Sequence, residues 1–249
     1  LGGSSTGVIM CTSFVFRKNI VLVGMNFDND GRKYKISDIK GKGFLLAVKM
    51  GNAFFSSIGI SPNGIFVNDQ MVDPNENSTY KRQNSKRWVT SKLIDTILRT
   101  NINFSEIATT LEQVEIVNAP KSSTHNLIVD RNGDICVVEP GKKNIISKKG
   151  ESNWFILTNF PISEYKEITP KKVAGSGSDR YMKGLNLLEK EKDQMTVKSG
   201  FSILKDLQQN GSTWITELSL IYDVTNQELY YCQHRNFEDI KKISLELNT

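Results

Sequence analysis

A cysteine at the head of one short strand and an aspartate just past the end of the next constrain this chain more than any other stretch. Met10-Cys11-Thr12-Ser13-Phe14 through Gly24-Met25-Asn26-Phe27-Asp28 reads as two strands, residues 12–16 and 20–24, joined by a tight Arg17-Lys18-Asn19 turn. A hairpin of that length brings the Asp28 carboxylate back beside Cys11. Because Cys11 follows a methionine, removal of everything through Met10 would leave it with a free α-amine, so that nucleophile and base share one residue. Spacing by itself leaves the plainer alternatives open, with Cys11 as packing and Asp28 as a turn acceptor.

The remaining cysteines do not compete for that role. Cys136 lies in the apolar run Ile135-Cys136-Val137-Val138 and Cys232 in Leu229-Tyr230-Tyr231-Cys232, both read as buried strand residues. Three scattered cysteines make neither a disulfide framework nor a metal site, and they fit a reducing cytoplasm. The net charge of +5 comes from lysines spread along the 249 residues, largely in predicted turns, and reads as a solvated surface rather than a nucleic-acid footprint. No apolar run approaches the roughly 18 residues of a membrane span. Residues 1–10 lack the basic and apolar segments of a signal peptide and are taken as cloning residue or a removable propeptide, with residues 11–249 as one domain.

Beyond the hairpin, strands are expected at residues 43–49, 53–60 and 65–72, with residues 33–39 a polar connection and 73–83 a polar loop. Val89, Leu93, Ile94, Ile97 and Leu98 recur at helical spacing. So do Ile107, Ala108, Leu111 and Val114, with Ser105 as N-cap. Asn132-Gly133 marks a hairpin between residues 126–130 and 135–139, followed by strands at 143–147 and 154–158. A Gly/Ser-containing stretch leads into a helix from Asp179, and a shorter helix follows at 201–208. A closing hairpin (213–222 and 227–232) and a last strand at 243–247 end the chain. Strands, two helices, strands, one or two helices and strands again indicate an α+β protein or two sheets between helical layers.

A thiol needs help to ionise. An α-amine, with an ordinary pKa of roughly 7.7–8.0, could take its proton. Asp28 could hold that amine, Arg180 at a helix start could favour the thiolate, and Asn159 before Phe160-Pro161 could donate to a developing oxyanion. Each also has an ordinary structural use, and spacing does not choose.

Five segments in order carry a resemblance. These are Met10-Cys11-Thr12 with Gly24 to Asp28, Ser61-Pro62-Asn63-Gly64-Ile65, and His125 to Asp130 with Gly133 and Val137-Val138-Glu139. The last two are Leu157-Thr158-Asn159-Phe160-Pro161 and Ser178-Asp179-Arg180-Tyr181. Together they resemble the choloylglycine hydrolase and penicillin V acylase branch of the N-terminal nucleophile hydrolases, over nearly everything from Met10 onward. The resemblance implies a four-layer αββα sandwich of two mainly antiparallel sheets. It implies hydrolysis of a linear, non-peptide C–N bond in a small N-acyl amide, through a thioester on Cys11, with Asp28, Asn159 and Arg180 as catalytic partners. It also implies substrate contacts at Met25, where the family usually carries arginine, and at Asn68, Met71 and Val72, near which a second oxyanion contact should fall. No cofactor, metal, nucleic-acid or membrane partner is called for, and homo-oligomer formation is left open. The rival expectation is a non-catalytic relative that binds a small acylated ligand. His125 reads as part of a structural hairpin and His234 as solvated.

Overall fold

The computed structural model describes residues 10–39, 42–191 and 194–248. Nearly all of the segment read as cloning residue or propeptide therefore lies outside the described residues, Met10 excepted. The strands are β1 (Thr12–Arg17), β2 (Val21–Asn29), β3 (Tyr34–Asp38), β4 (Phe44–Met50), β5 (Ala53–Ile60), β6 (Phe66–Asn68), β7 (Gln70–Met71) and β8 (Arg87–Val89). Two helices follow, α1 (Thr90–Arg99) and α2 (Phe104–Gln113), then β9 (Glu115–Val117), β10 (Thr124–Val129), β11 (Ile135–Val138), β12 (Ile145–Ser147) and β13 (Trp154–Leu157). The chain continues through α3 (Ser178–Lys190), α4 (Val197–Asp206), β14 (Ile215–Asp223), β15 (Glu228–Gln233) and β16 (Lys241–Ser244).

One sheet runs β13-β1-β2-β14-β15-β16 and the other β12-β11-β10-β6-β5-β4-β3, with β7 pairing β10; every pairing in both is antiparallel. Helices α3 and α4 pack on the first sheet, through β1, β13, β2 and β14, and α1 packs on the second through β5 and β6. The layers are thus helix, sheet, sheet, helix, the α+β sandwich expected. Every residue of β1 and β2 is buried, because that sheet is covered by helices on one face and the second sheet on the other. One apolar cluster runs between the sheets and under α3 and α4. A second joins Leu93, Ile94, Ile97 and Leu98 of α1 to Leu45, Val67 and Ile128 of the second sheet. Phe14 faces Gly24 across β1 and β2, and a Cβ on Gly24 would fall 2.2 Å from the Phe14 ring, so the aromatic occupies the space a side chain would need.

The opening hairpin differs from its reading in two ways. Strand β2 continues to Asn29, so Asp28 lies within it rather than past its end. Arg17 is not a turn residue but the buried last residue of β1. Its guanidinium donates to Ser152 O (2.9 Å), Ser147 O (2.9 Å) and Gly133 O (3.1 Å), stapling the hairpin to the end of β12, the connection after it and the β10–β11 turn. Residues 34–38 form an edge strand instead of a connection, and Glu76–Ser78 puts one 3₁₀ turn into the loop after β7. Helix α2 is capped by Asn103 rather than Ser105. Asn103 Oδ1 accepts from the Glu106 N–H at 3.0 Å and the Glu106 carboxylate reaches back to the Asn103 N–H at 2.8 Å, a reciprocal capping box. The last strand is residues 241–244, earlier than expected.

Candidate active site

Cys11 sits one residue before β1 and is fully buried. Its carbonyl accepts from Arg180 Nη1 at 3.1 Å. The preceding Met10 carbonyl accepts from Gln209 Nε2 at 3.1 Å. The same Gln209 Nε2 donates to Asp28 Oδ2 at 2.8 Å, and Thr216 Oγ1 donates to Asp28 Oδ1 at 2.5 Å. Thr216 reaches Asp28 because the β2–β14 ladder shifts register between Thr216 and Leu218, placing Thr216 opposite Asp28. The Gln209 N–H donates in turn to Thr216 Oγ1 (2.8 Å), and the Thr216 N–H to Gln209 O (3.0 Å). The carboxylate is therefore gripped from one side by two residues whose backbones are tied to each other.

Arg180 occupies the first turn of α3 and links the other parts. Nη1 donates to Thr12 Oγ1 at 2.5 Å and lies 3.8 Å from Asp28 Oδ2, while Nη2 donates to Asn159 Oδ1 at 2.6 Å. That bond fixes which way the Asn159 amide points. Its Nδ2 then donates one hydrogen to Met71 O at 2.8 Å and keeps a second. Gly177, just before α3, holds φ +73, and a Cβ there would lie 2.7 Å from Arg180 Nη2 and 3.1 Å from Asn159 Oδ1. Gly177→Ala is expected to cost roughly 1–3 kcal/mol from the left-handed backbone and to push Arg180 out of place. A thermal melt together with a Cys11 alkylation rate would check both effects.

The segment after β13 is braced from below. His125 Nε2 and Gln70 Nε2 both donate to Thr158 O, at 2.8 and 2.7 Å, while His125 Nδ1 faces Glu139 Oε1 at 3.1 Å. Glu139 also accepts the Ile162 and Ser163 N–H groups at 2.8 and 3.1 Å. Burial pushes Glu139 up, but its bonds to His125 and Ser163 outweigh that and hold it below its ordinary value. Replacing Glu139 by Leu strands the buried His125 and two N–H groups. The expected loss is about 3 kcal/mol or more, read by denaturant unfolding.

Burial lifts the Asp28 carboxyl to about 6, against the downward pull of Arg180, Gln209 and Thr216. Burial first, and then the charge of Asp28, push the Cys11 thiol well above its ordinary range, with the Asp28 backbone N–H and Arg180 acting the other way. Burial and the Asp28 charge thus both disfavour the thiolate while residues 1–10 are attached.

Beside these groups is a cavity of about 890 Å³ whose wall includes Met10, Met71, Val72, Tyr80, Asn159 and Trp214. Cys11 is not in that wall; its neighbour Met10 is. Of the expected substrate contacts, Met71 and Val72 line the cavity, whereas Met25 and Asn68 do not. Both are fully buried, with Asn68 Nδ2 at 3.3 Å from Met25 Sδ and 2.8 Å from Ser13 Oγ, and Asn68 Oδ1 accepting the Leu127 N–H. Their side chains lie in an interior hydrogen-bonded network behind that wall. The Val72 N–H donates to Ser123 O and the Asp69 N–H to Ser57 O, so neither is free for a second oxyanion contact. His234 is exposed and paired with Glu217. No group of three or more His, Cys, Asp and Glu side chains is arranged for a metal among the described residues. Among the described residues no helix is long and apolar enough to cross a membrane.

An antiparallel two-sheet sandwich between helices, with a cysteine at the head of the strand beside β2, defines the architectural class. Solved structures make it specific. A conjugated bile acid hydrolase from Clostridium perfringens superposes with a TM-score of 0.71 at 16% identity, covering 94% of this chain and 92% of that one. Penicillin V acylase from Agrobacterium tumefaciens gives 0.63 at 14%, covering 94% and 91%, and a Caenorhabditis elegans N-acylethanolamine-hydrolyzing acid amidase ortholog gives 0.61 at 13%, covering 86% and 93%. This chain shares their fold, an α+β sandwich of two antiparallel sheets between helices. No family model matches the sequence, and no curated protein matches it.

Proposed function

We propose that the protein, once Cys11 is its first residue, is a cysteine amidohydrolase that cleaves a linear C–N bond in a small N-acyl amide. The observation that carries this reading is the convergence of Cys11, Asp28, Asn159 and Arg180. They come from just before β1, from β2, from just after β13 and from the start of α3, and they meet beside a cavity walled by both apolar and polar side chains. A cavity of this size suits a small ligand rather than a polypeptide.

In this mechanism the Cys11 α-amine takes the thiol proton as Sγ bonds to the substrate carbonyl carbon. The second Asn159 N–H meets the oxyanion, and such a donor typically contributes about 3–4 kcal/mol. The amine then passes its proton to the leaving nitrogen as the C–N bond breaks, leaving a thioester. Water adds to the thioester with the same amine as base, releasing the acid and returning the proton to Sγ. Asp28 orients the amine, and Arg180 holds Asn159 and favours the thiolate.

The test is a panel of N-acyl amino acids, acyl homoserine lactones, penicillin V and conjugated bile acids, given to the chain beginning at Cys11. Acid and amine should be released from at least one, with an acyl adduct on Cys11 seen by mass spectrometry, and none with Cys11→Ala. Binding of such compounds without release or adduct would replace the enzyme with a non-catalytic acyl-ligand binder.

A further inference from the structure

Gln209 has no place in the chemistry above, yet it touches both the Cys11 end of the chain and Asp28. Its Nε2 sends one hydrogen to the Met10 carbonyl at 3.1 Å and the other to Asp28 Oδ2 at 2.8 Å. Its backbone is anchored in both directions to Thr216, the other residue gripping Asp28. Removing residues 1–10 changes what faces that amide. A carbonyl oxygen, which only accepts, gives way to the Cys11 amine nitrogen, one bond from the former carbonyl carbon, which must donate. An N–H left pointing at that nitrogen would occupy its lone pair or oppose its positive charge, and the lone pair is what must receive the thiol proton.

We propose that Gln209 is a positioning residue for the Cys11 α-amine, its side-chain amide turning over when residues 1–10 are removed. Before removal Nε2 serves the Met10 carbonyl and Asp28. Afterwards Oε1 and Asp28 Oδ2 are two acceptors facing each other, and the amine lies between them, giving one N–H to each in place of the Gln209 N–H that Asp28 loses. The number of hydrogen bonds at the carboxylate is kept, and the lone pair is left facing Sγ. Glutamine suits the site because one planar group carries both a donor and an acceptor.

The inference rests on the reading that Cys11 becomes the first residue, but its test requires no amide hydrolysis. Among the described residues every strand and helix lies within residues 12–244, so the chain beginning at Cys11 keeps them all. Gln209→Glu and Gln209→Met are made in both chain lengths and followed by thermal melting and by iodoacetamide alkylation of Cys11, located by peptide mass. In the chain with residues 1–10, Gln209→Glu sets a carboxylate against Asp28 and the Met10 carbonyl, and the melting temperature should fall by about 4 °C or more. In the chain beginning at Cys11 the same substitution supplies an acceptor to the amine and should cost little. Gln209→Met in that shorter chain should slow alkylation at pH 7.5 about tenfold, because the amine is no longer held where it takes the thiol proton. Equal destabilisation of both lengths by Gln209→Glu, or unchanged alkylation of the shorter chain by Gln209→Met, overturns the proposal. If those results hold as expected while no amide is cleaved, the amidase reading fails and the role of Gln209 stands.

Discussion

The chain beginning at Cys11 is expected to react with iodoacetamide at pH 7.5 about a hundredfold faster, or more, than the chain carrying residues 1–10. Alkylation consumes the thiolate, and in the longer chain burial and the Asp28 charge push the thiol far from ionisation. The Cys11 nitrogen is also an amide there and cannot accept a proton. Cleavage after Met10 alters both terms. It removes part of the cavity wall beside Cys11 and converts the amide to an amine whose ordinary pKa, roughly 7.7–8.0, suits a base near neutrality. Cys136 and Cys232, buried in β11 and β15, serve as internal references. A time course of peptide masses reads all three sites. Similar Cys11 rates in the two chains would remove the physical basis for an amine-activated nucleophile.

The residues on which this rests were unequally visible in the sequence. Cys11 and Asp28 stood out because a short hairpin is a local object, written in alternation and a turn. Even so, the length of β2 was hidden, since Asn26 and Asp28 interrupt its apolar run and are buried only because a second sheet and two helices cover both faces. Strand β3 was legible in principle from Tyr34 and Ile36 on one face, but its exposed residues resembled a connection. The three-residue strands β8 and β9, parallel and joined across two helices, are too short for any periodicity. Asn159 and Arg180 were reached by resemblance, not spacing. That they bond each other across α3's left-handed Gly177 is information held in three dimensions. Gln209 and Thr216 gave no signal at all. One lies in a polar connection and the other in a strand, and their common target Asp28 is 181 and 188 positions away.

Replacing Asp28 by Asn is expected to stabilise the chain carrying residues 1–10 at pH 8 and to do little at pH 4. A carboxyl lifted from 3.8 to about 6 holds its proton more tightly folded than unfolded. Its favourable contribution is complete below 3.8 and is lost as the pH rises through about 6. Above that, keeping the ionised group buried costs on the order of 3 kcal/mol, and asparagine avoids the charge. Asp69, likewise lifted to about 6 by burial, gives a slope of the same sign in both proteins and so cancels from the comparison. In the chain beginning at Cys11 the outcome should reverse. There an ammonium beside Asp28 supplies the missing counter-charge and the carboxylate becomes the better residue, so Asp28→Asn should both weaken the fold and slow Cys11 alkylation. Melting of the two chain lengths at pH 4 and 8, with and without the substitution, separates the cases. A gain that is independent of pH, or the same in both lengths, would mean that Asp28 is not held ready for the amine. The buried charge that destabilises the longer chain would then have no function in the shorter one.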